Sequence, residues 1–210
     1  MANLLVLGGS GPTGQLIVTQ ALAEGHSVTA LSRHPEQLRV THARLKTLQG
    51  DVTEENVIAR SLAGHDAVLS ALGRGQRLTS HQLMTRTVAK LLPAMAQTGP
   101  KRLIHLSAFG AGVGKNYASA LQRILYETFL RSLAADKAVA DAEVSRSALQ
   151  WTIVAPVTFA VGSRVGRYRV GEEIRVSGLP RISRASVADF MLKCLQDPST
   201  IGKRLAMVPE

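Results

Sequence analysis

The apolar run at residues 4–7 passes directly into Gly8-Gly9-Ser10-Gly11-Pro12-Thr13-Gly14. From Thr13 onward, Leu16, Ile17, Ala21 and Leu22 recur at helical spacing. A short all-apolar run of this kind reads as a strand buried on both faces, joined to a helix through glycines. Glycines at 8, 11 and 14 give G-x-x-G-x-x-G, a spacing variant of the dinucleotide fingerprint. Each has a job there: Gly8 permits a sharp turn, Gly11 lets backbone approach a diphosphate, and Gly14 lets helix pack close on strand. The unpaired N–H groups of the helix's first turn then face the anion.

Strand and helix patterns alternate along the rest of the chain. Strands are expected at 27–31, 45–48, 67–70, 102–106 and 151–155, and Arg204 to Met207 reads as an edge strand. Helices are expected after a Thr53 cap, over 80–97, in two pieces within 116–148, and from Ser183 or Ser186 through Cys194. The stretch Tyr-Arg-Val-Gly-Glu-Glu-Ile-Arg-Val at 168–176 suggests a small hairpin. Such alternation implies an α/β fold: one doubly wound, Rossmann-type parallel sheet with helices on both faces, and a C-terminal hairpin on the substrate side. The 210 residues are enough for one such domain, taken as 1–210, with its ligand beyond the C-terminal ends of the strands.

Charge and composition narrow the partners. Twenty-five Lys and Arg against fifteen Asp and Glu give +10, which favours anionic partners. The basic residues are scattered, aromatics make up 4%, and neither zinc-finger spacing nor an RNP-like motif occurs, so no specific nucleic acid is expected. No apolar run has the length of a membrane span, the N-terminus lacks a secretory pattern, and a lone Cys194 suits a reducing compartment. A cytoplasmic monomer or dimer without membrane association or bound metal is the expectation.

The end of the second strand selects the nucleotide. An NAD site usually carries an acid there; this chain has Ser32-Arg33-His34. A guanidinium pairs with a 2′-phosphate, so Arg33 points to NADP(H), the alternative being a solvated loop arginine. After the third strand, Asp51 and Val52 can flank an adenine, or Asp51 can cap the following turn. Leu72-Gly73-Arg74-Gly75 forms another glycine-bearing loop at the same edge, with Arg74 and Arg77 available to anionic groups.

These residues resemble the atypical short-chain dehydrogenase/reductase family, and most of all its small NADPH-dependent flavin reductase/biliverdin-IXβ reductase-like group and the NmrA-like NAD(P)-binding proteins. The likeness runs through Gly8 to Gly14, Leu31-Ser32-Arg33, Gly50-Asp51-Val52, Leu72-Gly73, Leu106-Ser107-Ala108-Phe109 and 189–195. It implies NADP(H) across the C-terminal edge of the sheet. Gly8, Ser10, Gly11, Pro12 and Thr13 would lie at the pyrophosphate, Arg33 at the 2′-phosphate, and Asp51 and Val52 at the adenine. Leu72, Gly73 and Met84 would border the ribose side, with Met84 otherwise a core residue. His105, Ser107, Lys137, Pro156, Thr158 and Phe159 would surround the nicotinamide half.

Most short-chain dehydrogenases carry Tyr-x-x-x-Lys. Here the position four before Lys137 is Leu133, while Tyr117 and Tyr126 are followed by Leu121 and Leu130 at that spacing. Without a tyrosine acid, a ketone is a poor substrate and a conjugated acceptor (flavin, quinone or tetrapyrrole) a better one. Lys137 either holds the nicotinamide ribose or is a solvated lysine. Ser107 either orients substrate or nicotinamide or caps a turn, and His105 either serves the site or packs in the core. Six arginines at 164, 167, 169, 175, 181 and 184 suggest either a cationic rim for an anionic or aromatic acceptor or a solvated basic surface. The alternative to a reductase is a non-catalytic NADP(H) sensor.

Overall fold

The computed structural model describes residues 1–73, 82–97, 99–128, 130–160 and 167–210. Its frame is a sheet of eight strands. The order starts with β3 (Leu45–Gln49), β2 (Ser27–Ser32), β1 (Asn3–Leu7), β4 (Ala67–Ser70) and β5 (Arg102–Leu106). It ends with β6 (Gln150–Pro156), β10 (Lys203–Pro209) and β8 (Tyr168–Gly171). All neighbours are parallel except β8, which runs antiparallel to β10. Two strands, β7 (Thr158–Ala160) and β9 (Arg181–Ser183), form a separate parallel pair.

Period-two burial along the strands makes two cores. Leu4, Val6, Val28, Ala30 and Ile104 face α1 (Pro12–Ala23) and α6 (Arg184–Gln196). Leu5, Leu7, Leu31, Val68 and Leu103 face α2 (Glu55–Leu62), α3 (Leu83–Gln97) and α5 (Arg131–Arg146). A shorter helix, α4 (Ala120–Glu127), begins at a capping box formed by Ser119 and Gln122. Successive strands step from β1 out to β3, then return to β4 on the other side of β1. The crevice between β1 and β4 is therefore the topological switch point, where such folds bind ligands.

Register brings the site residues to one height. Leu7 pairs with Leu31 and Ser70, Ser70 with His105, and His105 with Ile153, which pairs with Arg204. Gly8, Ser32, Ala71 and Leu106 therefore leave the sheet side by side.

Three local expectations are corrected. Residues 168–171 do not turn back on 174–176 as a hairpin; they pair with β10, and the small pairing near the substrate side is β7 with β9. Residues 204–207 lie inside the sheet, because β8 covers the outer side of β10. Glu54, not Thr53, is the N-cap of α2, since the Thr53 amide and hydroxyl are both taken by Asp51. The expected start of the long helix at Ser80 lies outside the described residues. Among the described residues, no helix is long and apolar enough to cross a membrane.

Candidate functional site

At the end of β1 the backbone turns through Gly8 at φ +78°, where an L side chain is strained. The turn is tied down by Gly8 N donating to Leu31 O at 3.0 Å and Gly11 N to Gly8 O at 2.9 Å. A Cβ on Gly14 would overlap the Gly8 carbonyl oxygen and approach Gly9 Cα to 3.0 Å; one on Gly9 would approach Ala30 Cβ to 2.7 Å. Only glycine lets α1 start this close to the strand. Pro12 fills the first turn, where its missing N–H costs nothing. No side chain caps α1, and its first turn holds no acid. Its leading amides are thus left for an anion, which is what a dinucleotide diphosphate requires.

The neighbouring strand end is bound to this turn. Ser10 and Ser32 share a hydroxyl–hydroxyl bond, and Ser32 Oγ accepts from His34 N at 3.0 Å. Arg33 is exposed beside them. Asp51 Oδ1 accepts from Thr53 N at 2.9 Å and Thr53 Oγ1 at 2.8 Å, so this acid does cap a turn. Burial works against its ionisation, but the Thr53 bonds and the charges of Arg33 and Arg86 hold its carboxyl below the usual range. Val52 is buried beneath, and Leu72 and Gly73 continue the edge after β4. Arg74, Gly75 and Arg77 lie outside the described residues.

Met84 does not line this edge. It has no exposed surface and belongs to the core under α3, while its backbone N–H goes to Asp136. Asp136 reaches over from α5 to accept from Met84 N at 3.1 Å and Thr85 N at 2.9 Å, capping α3 from another helix.

The polar residues at the end of β5 turn inward. Lys137, 5% exposed, donates through Nζ to Leu106 O at 2.8 Å instead of reaching outward to a ribose. Burial pushes its ammonium down to about 8, against the opposing pull of Asp141 and Asp136. Ser107, 2% exposed, donates to Asp141 Oδ2 at 2.7 Å. Arg204 Nε sits 3.4 Å from the same oxygen, and its Nη2 donates to Ala108 O and Ala111 O, both at 2.9 Å. His105 lies wholly within the core, 3.7 Å from Asp141 Oδ1, and among the described residues neither ring nitrogen has a hydrogen-bond partner. Burial, helped by Lys137, pushes it down to about 3, so the ring is neutral. Burial likewise raises the Asp141 carboxyl, outweighing Ser107, Arg204 and Lys137.

At the end of β6, Pro156 is buried, its carbonyl accepting from Phe109 N at 2.9 Å; Thr158 and Phe159 follow, half-buried, on β7. The guanidinium carbon of Arg184 stands 4.5 Å from the centroid of the Phe159 ring. Of the other arginines expected at a rim, Arg169 lies on β8 at the far edge of the sheet, Arg181 is near Arg184 on β9, and Arg164 is outside the described residues.

No motif in the sequence marks Asp141, Asp136, Arg204 or Arg86 as part of this site. One signal was present: Asp136, Lys137 and Asp141 interrupt the Ala134, Ala140, Val144 core stripe of a single helix. Among the described residues, no group of three or more His, Cys, Asp or Glu could hold a metal.

A family model described as NAD(P)H-binding matches residues 8–198. The 3-beta-hydroxysteroid dehydrogenase of Mycolicibacterium neoaurum is 30% identical over 54% of this chain and 34% of its own length. The chloroplastic divinyl chlorophyllide a 8-vinyl-reductase of Arabidopsis thaliana is 26% identical over 97% of this chain and 52% of its own. The chain thus spans only 34% to 52% of the length of these relatives. Among solved structures, the oxidoreductase ylbE from Lactococcus lactis superimposes with a TM-score of 0.83 at 22% identity, covering 99% of this chain and 91% of that one. A short-chain dehydrogenase/reductase from Veillonella parvula, in complex with NADP, gives 0.81 at 16% identity, covering 99% and 95%. These two share the fold.

Proposed function

The chain belongs to the NAD(P)H-binding family, and we propose that it is an NADPH-dependent reductase of a conjugated small-molecule acceptor of flavin, quinone or tetrapyrrole type. The observation that carries this reading is the inward turn of Lys137 and Ser107, whose polar atoms are bonded to Leu106 O and Asp141. Reducing a ketone leaves a localised oxyanion that a positioned acid must protonate. Here the groups nearest that role hold the fold together, and Leu133 stands where a tyrosine acid would. A conjugated acceptor spreads the incoming electron pair over its rings and takes its proton from water. The relative named as a chlorophyllide vinyl-reductase supports the same class.

When bound, NADPH supplies the hydride. The first-turn amides of α1 hold its diphosphate, with Ser10 and Thr13 beside them. Arg33 pairs with the 2′-phosphate, Asp51 and Val52 border the adenine, and Gly73 borders the ribose. Thr158 and Phe159 flank the nicotinamide side. Ser107 and Lys137 act from behind, by fixing the end of β5, and His105 packs in the core beneath them. The acceptor binds as an anionic or aromatic small molecule.

The same inward turn also favours a second reading, an NADP(H)-binding sensor without catalysis. Following NADPH absorbance with FMN, a quinone and biliverdin offered in turn separates the two. Turnover of at least one acceptor is expected. Tight NADPH binding with no turnover on any of the three would replace the reductase with the sensor.

A further inference from the structure

We infer that Arg184, stacked on Phe159, is the residue that selects an acceptor bearing an anionic group beside its flat ring system. The inference rests on the reductase reading for its setting and on three observations for its content. First, Phe159 pairs in register with Ile182, and Arg184 follows two residues later, so the pairing of β7 with β9 builds ring and guanidinium into one unit. This unit lies just past β6, at the sheet edge that carries the glycine turn.

Second, the guanidinium carbon lies over the Phe159 ring, 4.5 Å from its centroid, and among the described residues no hydrogen bond or ion pair engages Arg184. A guanidinium seated on an aromatic ring has less freedom to lose on bidentate pairing with a phosphate or carboxylate. Arg167, Arg169, Arg175 and Arg181 are all exposed, whereas Arg184 is half-buried and held by an aromatic platform.

Third, a side chain already caps the start of α6. Ser183 Oγ accepts from Ser186 N at 3.1 Å and closes that helix end with a side chain. The cation at this place is therefore the recognising group.

FMN and riboflavin test this directly, since they share the isoalloxazine ring and differ by one phosphate. The wild-type protein is expected to favour FMN by about tenfold in kcat/KM, the worth of one hydrogen-bonded charge pair, mostly through KM. That preference should shrink as salt rises. In Arg184→Gln the FMN-to-riboflavin ratio falls to near one, and in Arg184→Lys it is partly kept, because the charge survives and the planar fork does not. Phe159→Leu, which keeps the guanidinium and removes its platform, gives an intermediate ratio and serves as a second variant if Arg184→Gln does not fold.

The same ratio is read in binding, from quenching of flavin fluorescence by protein loaded with NADP+. A preference that persists in Arg184→Gln, or a wild-type ratio near one in both turnover and binding, overturns the assignment while leaving the reductase standing. Arg184-dependent FMN binding without turnover of either flavin, quinone or biliverdin supports the assignment and overturns the reductase.

Discussion

The Ser107 hydroxyl donates to Asp141 Oδ2 across 2.7 Å, joining the end of β5 to the middle of α5. Asp141 also faces Arg204, whose guanidinium reaches the carbonyls of Ala108 and Ala111. One buried carboxylate thus fixes the strand end and, through the arginine, the loop that follows it. Lys137 reaches the adjacent Leu106 carbonyl, so α5 holds the end of β5 at two neighbouring positions.

Ser107→Ala should lower stability by about 1–3 kcal/mol, since it leaves a buried carboxylate short of a donor. NADPH affinity should hardly move. Urea titration beside calorimetry distinguishes the outcomes. An unchanged urea midpoint with a large loss of NADPH affinity would return Ser107 to direct contact with the nucleotide.

Gly14→Ala puts a methyl into the Gly8 carbonyl oxygen, and both atoms belong to main chain that cannot swing aside. Parting helix from turn displaces the leading amides of α1, and a misfit of even about 1.4 kcal/mol weakens NADPH tenfold. Gly73→Ala, whose Cβ meets no protein atom within 4 Å, is the control for folding alone and is read by its urea midpoint, since Gly73 borders the proposed ribose site. Calorimetry should find binding severely weakened in the first variant. If Gly14→Ala binds like wild type, the close approach of helix to turn has no part in holding the diphosphate.

How far the sequence revealed these features depended on how local their causes were. The strands at 67–70 and 102–106 were legible to the residue as apolar runs, and the glycine turn was legible because its requirements are met within seven residues. Val-Gly-Glu-Glu-Ile has the local turn character of a hairpin at 168–176, yet the partner of Tyr168 is Pro209, far along the chain. Residues 204–207 were placed at an edge for the same reason. The sequence marks Lys137 but not its direction, which follows from how α5 packs on α3 and β6. Arg204 joins Asp141 only through the register of β10, and no short-range spacing marks it.

Arg33→Asp should weaken NADPH on the order of tenfold to a hundredfold by replacing a charge-assisted bond with repulsion, while NADH changes little. The new acid would also stand near Asp51, whose carboxyl Arg33 now helps keep ionised. Titrating both nucleotides into both proteins decides it. Equal losses for the two would show that Arg33 does not read the 2′-phosphate.

His105 makes acid sensitivity a property of the core. Burial, with Lys137 nearby, takes the ring from 6.5 down to about 3. Between those values the unfolded chain binds a proton that the folded chain refuses. The stabilisation is complete above pH 6.5 and is lost as pH falls toward 3, amounting to about 5 kcal/mol over the whole interval. Asp141 opposes part of this: burial raises its carboxyl, so in the acid range the folded state takes up a proton before the unfolded one does. Lys137 acts at the other end, since an ammonium lowered from 10.5 to about 8 makes stability climb as pH rises through that window. Urea midpoints should therefore drop from neutral pH into the acid range. His105→Met, which fills the same space without a titrating ring, should show a shallower acid slope and leave the alkaline rise in place. Parallel acid slopes for the two proteins would mean that His105 is not the group whose protonation opens the core.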